Sequence, residues 1–172
     1  MSGQHEDFLA ATLPALDHVY NLARRLSRDV DQVQDIVQET YVKAFEAWID
    51  GRRPRKVDPW ITTICLNVGR SLWRRASNQR EVVTAPDPTV EADLDVAEEA
   101  MRALQAGVVH DALWSLSEQQ RIAIVLMDLN GFTASEVATM TRTPRGTVLS
   151  RVHRGRKKLA ELLGSQVVVR DT

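Results

Sequence analysis

A chain of 172 residues and 19.3 kDa with a formal charge of -1 holds one or two small domains, and any basic surface on it must be concentrated rather than spread. It is 44% hydrophobic, enough for buried cores, but only 5% aromatic, with 8 Gly and 6 Pro, a balance that favours helix over strand. The same inventory argues against most chemistry. The lone Cys65 forms no internal disulfide and fits a reducing cytoplasm, and His5, His18, His110 and His153 have no metal-ligand spacing with one another or with it.

No phosphate-binding glycine loop and no nucleophile motif is present, so the reading is a non-enzyme without metal or cofactor. Asp7, Pro14 and Asp17 interrupt the apolar residues near the start, so no signal peptide is expected. No window approaches the ~18 to 20 apolar residues of a membrane span. The expectation is a cytoplasmic protein without membrane insertion.

Charge divides the chain into three. Residues 1–79 carry 11 basic and 10 acidic side chains, residues 80–105 carry 7 acidic and 2 basic, and residues 106–172 carry 9 basic and 6 acidic. The middle part also holds Pro86 and Pro88, which interrupt regular structure. The predicted architecture is all-α: two small helical domains, at 6–77 and 106–163, joined by a flexible acidic linker at 78–105, with a short tail at 164–172.

In chain order, a first helix is expected from about Glu6 to Ser27. A second spans Val33 to Trp48, where Val33, Ile36, Val37, Tyr41, Ala44, Phe45 and Trp48 follow the 3.6-residue period. Opposite that stripe lie Asp35, Gln38, Glu39, Lys43 and Glu46, either a solvated face or a docking face for a basic partner. A basic loop follows with Arg52, Arg53, Arg55 and Lys56. Asp58-Pro59 opens a third helix, whose inward stripe is Trp60, Ile61, Ile64, Cys65, Val68 and Leu72. Near its end stand Asn67, Arg70, Trp73, Arg74 and Arg75. Tryptophan and arginine stack on unpaired bases and arginine neutralises phosphate, although packing and capping would use the same residue types.

The second domain begins near Val108. Ser117–Gln120 (SEQQ) and Thr133–Glu136 (TASE) are capping boxes, and Asn130-Gly131 ends the helix between them. After a turn at Thr141 and Arg142, a last helix begins at Pro144. The stretch Arg142–Lys158 holds seven Arg or Lys and no acidic residue, so these charges read as unopposed. A short helix, a tight turn and a basic second helix is helix-turn-helix spacing, in which the second helix enters the major groove of DNA. Val148, Val152, Leu159, Leu162 and Leu163 are expected to pack inward. Ser150, His153, Arg154 and Lys157 form an outward stripe, Arg145 and Arg151 flank it, and the backbone near Gly146 and Thr147 offers N–H groups to a phosphate.

The stretches DIVQETYVKAFEAW (35–48), PWITTICLNVGRSLWRR (59–75), LSEQQR (116–121), GFTASEVA (131–138) and GTVLSRVHRGRKKL (146–159) resemble, in order and spacing, an extracytoplasmic-function sigma factor of bacterial RNA polymerase. The resemblance implies that the first domain binds the clamp helices of the largest core subunit through Asp35, Gln38, Glu39 and neighbouring Lys43. It implies that the same domain opens the minus-ten promoter element with the loop at 50–57, including Arg53 and Arg55, together with Asn67, Arg70, Trp73, Arg74 and Arg75. It implies that the second domain contacts the polymerase flap and reads the minus-thirty-five element with Arg145, Thr147, Ser150, Arg151, His153, Arg154 and Lys157. Core RNA polymerase and promoter DNA are the implied partners, and an anti-sigma factor is common in the family. Three residues depart from the pattern: Val57 replaces an aromatic, Ser71 an aspartate and Leu149 a basic side chain. The alternative is a stand-alone helix-turn-helix regulator that binds duplex DNA without polymerase.

Overall fold

The structure, a computed structural model, describes residues 2–27, 30–78 and 106–168, the side chains of 2, 30, 73–78 and 165–168 excepted. It is all-α, with no strand among the described residues. The helices are α1 Ser2–Thr12, α2 Leu16–Leu26, α3 Val30–Ile49, α4 Val57–Asn78, α5 at 106–114, α6 Glu118–Ile124, α7 Ala134–Thr141 and α8 Arg145–Val168. The chain folds as two compact units, one holding α1–α4 and the other the bulk of the helices from α5 to α8. The acidic segment expected to link them, apart from Asn78 at the end of α4, lies outside the described residues.

The first helix expected from sequence is two helices. Pro14 has no N–H to continue an α-helix, and the chain takes a short 3-10 turn at Leu13–Ala15 before α2 begins. The break is tied down from outside: the Tyr41 hydroxyl on α3 donates to the Thr12 carbonyl at 3.0 Å, and Thr12 Oγ1 donates back to Phe8 O at 2.8 Å. Burial pushes the Tyr41 phenol up to about 12, so it keeps the proton it donates.

In the first unit α2, α3 and α4 pack on one another, and α1 lies against α3 and α4. Val19, Leu22, Leu26, Val33, Ile36, Ile61, Leu66 and Val68 are buried. Each such side chain contributes about 1.5–3 kcal/mol on leaving water, which is what makes short helices stable here. Beside this core sits an aromatic cluster in which the Phe8 ring meets Phe45 edge-on at 5.2 Å and Trp48 at 5.8 Å. The α3 stripe is graded: Val33, Ile36, Ala44 and Trp48 are buried, while Val37, Tyr41 and Phe45 are half-buried. Helix α3 ends at Gly51, whose φ of 81° is the left-handed conformation glycine adopts without strain. The Gly51 and Arg52 amides there donate to Trp48 O and Ala47 O.

In the second unit Ala112, Leu113, Leu116, Ile122–Leu126, Val137, Val148 and Val152 are buried, and α6 packs directly on α8. Both capping boxes form. Ser117 Oγ accepts from the Gln120 amide while Gln120 Oε1 accepts from the Ser117 amide. Thr133 Oγ1 accepts from the Glu136 amide while Glu136 Oε2 accepts from the Thr133 amide. Helix α6 widens into a π-helical stretch at Val125–Leu129 before the Gly131 turn. Helix α8 continues to Val168, past Leu163, so the first part of the expected tail is helical and only residues 169–172 lie outside the described set.

Candidate nucleic-acid interface

Helix α7 ends in a tight turn built from its own backbone. The Arg142 amide donates to Thr139 O at 3.3 Å and the Thr143 amide to Ala138 O at 3.0 Å, a Schellman-type closure. Its pivot is Arg142, at φ 51°, where α3 uses Gly51 for the same purpose. Pro144 then accepts from the Thr147 and Val148 amides at 2.9 and 3.1 Å, and α8 starts at Arg145, one residue later than expected. Thr147 therefore spends its N–H inside the helix. The amides of Arg145 and Gly146 are the ones left in the first turn, where no intrahelical acceptor exists.

Val148, Val152 and Gly155 form the buried face of α8. Ser150, His153, Arg154 and Lys157 lie on the exposed side, as does Arg145, while Thr147 and Arg151 are half-buried. The outward residues are partly organised among themselves. Ser150 Oγ donates to Thr147 O at 2.9 Å, and the Arg154 guanidinium reaches Ser150 O at 3.3 Å and Ser150 Oγ at 3.4 Å. Arg151 Nη1 donates to Thr143 Oγ1 at 3.3 Å, which fastens it to the turn.

The seven charges are not all unopposed. Arg156 makes a two-pronged ion pair with Asp128 of the π-helical stretch: its Nε donates to Oδ2 at 2.9 Å and its Nη2 to Oδ1. The hydrogen bonds and charge of Asp128 raise the Arg156 pKa further above its already high value. Lys158 Nζ donates to Ser115 O at 2.6 Å. Two of the cations thus hold α8 to the rest of its unit. Sequence spacing missed both, because their partners are far away along the chain.

Gly155 was also missed. A Cβ at this position would lie 3.0 Å from Ile124 Cγ1 and 3.6 Å from Gln120 Cβ, so the glycine lets α6 and α8 approach closely. Arg121, buried in the last turn of α6, stacks its guanidinium 3.6 Å from the centre of the Trp114 ring.

In the first unit Asn67 is exposed and Arg70 half-buried on the outer side of α4. Trp73, Arg74 and Arg75 fall on the last turns of α4, and their side chains lie outside the described set. Arg55 is exposed. Arg53 is engaged elsewhere: its guanidinium lies 4.9 Å from the centre of the Trp48 ring and 4.0 Å from an Asp7 carboxylate oxygen. On α3, Asp35, Gln38 and Lys43 are exposed, Glu39 is half-buried, and Lys43 pairs with Glu39 at 3.0 Å. Val42 and Ile49 add exposed apolar surface to the same stretch. Burial pushes the Cys65 thiol up to about 12, so it stays protonated and belongs to the core. Among the described residues no helix is long and apolar enough to cross a membrane, and no group of three or more His, Cys, Asp or Glu is placed to hold a metal.

Comparison with known proteins places both units. Residues 14–79 match the family model for Sigma-70 region 2, and residues 106–159 that for Sigma-70, region 4. The chain is 35% identical to the ECF RNA polymerase sigma factor EcfG of Rhodopseudomonas palustris, over 92% of this chain and 83% of that one. It is 32% identical to the ECF sigma factor SigE of Mycolicibacterium smegmatis over 86% of its own length, a match that spans only 58% of that relative. Among solved structures it resembles the sigma factor RpoE of Bartonella quintana, in complex with the anti-sigma factor NepR. The TM-score is 0.75, with 30% identity over 92% of this chain and 98% of that one. It also resembles CnrH, solved with the cytosolic domain of CnrY, at a TM-score of 0.69 and 26% identity over 95% of this chain and 92% of that one. With both sigma regions matched in order on one chain, this protein belongs to the extracytoplasmic-function RNA polymerase sigma factors of the sigma-70 family.

Proposed function

We propose that the chain binds core RNA polymerase, selects promoters by their minus-thirty-five and minus-ten elements, and opens the duplex at the latter. It supplies recognition and strand separation, and the bond-making belongs to the core enzyme. The observation that carries this reading is the α7–turn–α8 arrangement, with Ser150, His153, Arg154 and Lys157 exposed on the side of α8 opposite its buried face. A helix so mounted presents its early residues to base edges in a major groove while flanking cations take phosphates. The division of labour follows the domains at 6–77 and 106–163. Asp35, Gln38, Glu39 and Lys43 face the clamp helices of the polymerase. Asn67, Arg55, Arg70, Trp73, Arg74 and Arg75 contact the minus-ten strand, and Arg145, Thr147, Ser150, Arg151, His153, Arg154 and Lys157 serve the upstream element. Arg53 joins the minus-ten set by exchanging its Trp48 and Asp7 contacts for the strand.

The work is cytoplasmic, where polymerase and promoter are. The two similar solved structures are complexes with NepR and with CnrY. They support an anti-sigma protein as the class of regulator for this chain too. A stand-alone regulator would have no use for the first unit, which matches a sigma region by itself.

Reconstitution tests the reading. Core polymerase mixed with the full chain is expected to form a stable complex and start transcripts at defined positions, and failure to associate would sink the proposal. Within that complex Arg154→Ala is expected to cost about 1–3 kcal/mol of discrimination at one base pair. An equal loss on every sequence would make Arg154 a phosphate contact instead.

A further inference from the structure

The outward side of α8 has two unlike flanks. One is a stripe at i, i+4, i+8 and i+11: Arg145, Leu149, His153 and Arg156. Leu149 is 40% exposed, a large apolar side chain facing water on the helix assigned to DNA. Seven residues on, two helical turns away and directly in line, Arg156 is bidentate on Asp128. The middle of this flank therefore offers carbon, and a neighbouring cation is engaged within the protein. That is a poor surface for phosphate, which needs free positive charge or N–H groups. In the major groove thymine alone among the four bases presents a methyl group, whereas the others present donors and acceptors that leucine cannot satisfy.

We propose that Leu149 is a specificity-determining residue that packs on the C5-methyl of a thymine in the upstream promoter element. Asp128 holds Arg156 aside, and Arg145, one turn before Leu149, keeps its place at the phosphates, so that the middle of this flank reads a base rather than a phosphate. The inference rests on the assignment of α8 to the minus-thirty-five element. Removing one methyl from such a contact is worth about fourfold in affinity.

The test uses holoenzyme assembled from core polymerase and the full chain, enriched on duplexes with a randomised upstream element. Each thymine of the enriched sequence is then replaced in turn by 2′-deoxyuridine, which lacks only the methyl. At one position the replacement should weaken wild-type holoenzyme about fourfold and cost the Leu149→Ala protein nothing further. Leu149→Lys should move the preferred base at that position from thymine to guanine, whose O6 and N7 accept from an ammonium. Equal uridine penalties in wild type and Leu149→Ala at every position overturn the inference and leave the promoter assignment standing. No enriched sequence at all overturns that assignment and the inference with it.

Discussion

Two single residues carry conformational or protonation costs that experiment can reach. Arg142 sits at φ 51° in the turn between α7 and α8, a region where any residue with a Cβ is disfavoured by about 1–2 kcal/mol. Arg142→Gly is expected to leave stability within about 1 kcal/mol of wild type, since glycine removes the strain but loosens the unfolded chain. Arg142→Val, β-branched, is expected to lower stability by about 1–2 kcal/mol or more in urea titration, and an unchanged midpoint would contradict the turn geometry. His18 bridges α2 and α4, its Nε2 3.2 Å from Thr62 Oγ1. Burial pushes its pKa below the ordinary 6.5, with Asp58 pulling it partly back and Arg25 pushing the same way as burial. Just below pH 6.5 the unfolded chain therefore binds more protons than the folded one. Stability rises with pH through that window, is complete above 6.5, and is lost as pH falls. Thermal melts should show Tm falling from about pH 6.5 toward pH 5, and falling less in His18→Gln; identical slopes would remove His18 as the cause.

Helices were more legible than the contacts between them. The capping boxes at Ser117 and Thr133, the Asn130-Gly131 turn and the periodic stripes act over about four residues, and each reappears in the structure. The break in the first helix was signalled by Pro14 itself, which the apolar pattern around it concealed. The crossing of α6 and α8 had no signal beyond a glycine within a helix. Gly155→Leu would force a branched side chain into Ile124, and is expected to cost about 1–3 kcal/mol and to weaken promoter binding as α8 shifts. Gly146→Ala on the same helix meets nothing within 4 Å and is expected to be tolerated, so denaturant midpoints of the two variants give the comparison. If both are neutral, the helices do not meet at Gly155.

For the whole molecule, the composition pointed to helix in one or two small domains, the charge partition to two, and the order of motifs to a sigma factor, the last of which the family matches bear out. Docking onto polymerase should depend on surface charge rather than on folding. Reversing Asp35 and Glu39 to lysine breaks only an exposed Glu39–Lys43 pair, worth about 0.3–0.5 kcal/mol, so Tm should barely move. Core association should nevertheless weaken at least tenfold, and an unaltered complex would show that the face lies elsewhere. The sequence by itself determined what local chemistry encodes: the capped helix starts at Ser117 and Thr133, buried stripes, the helix-turn-helix and the clustering of positive charge. Only the tertiary structure decided how that charge is divided. Arg156 and Asp128, 28 positions apart, neutralise each other; Lys158 grips a carbonyl 43 positions away; Arg53 lies over Trp48. Helical spacing tells which side of a helix a cation occupies. Whether that cation meets solvent or a carboxylate depends on which other helix packs there, and packing is a property of the folded unit.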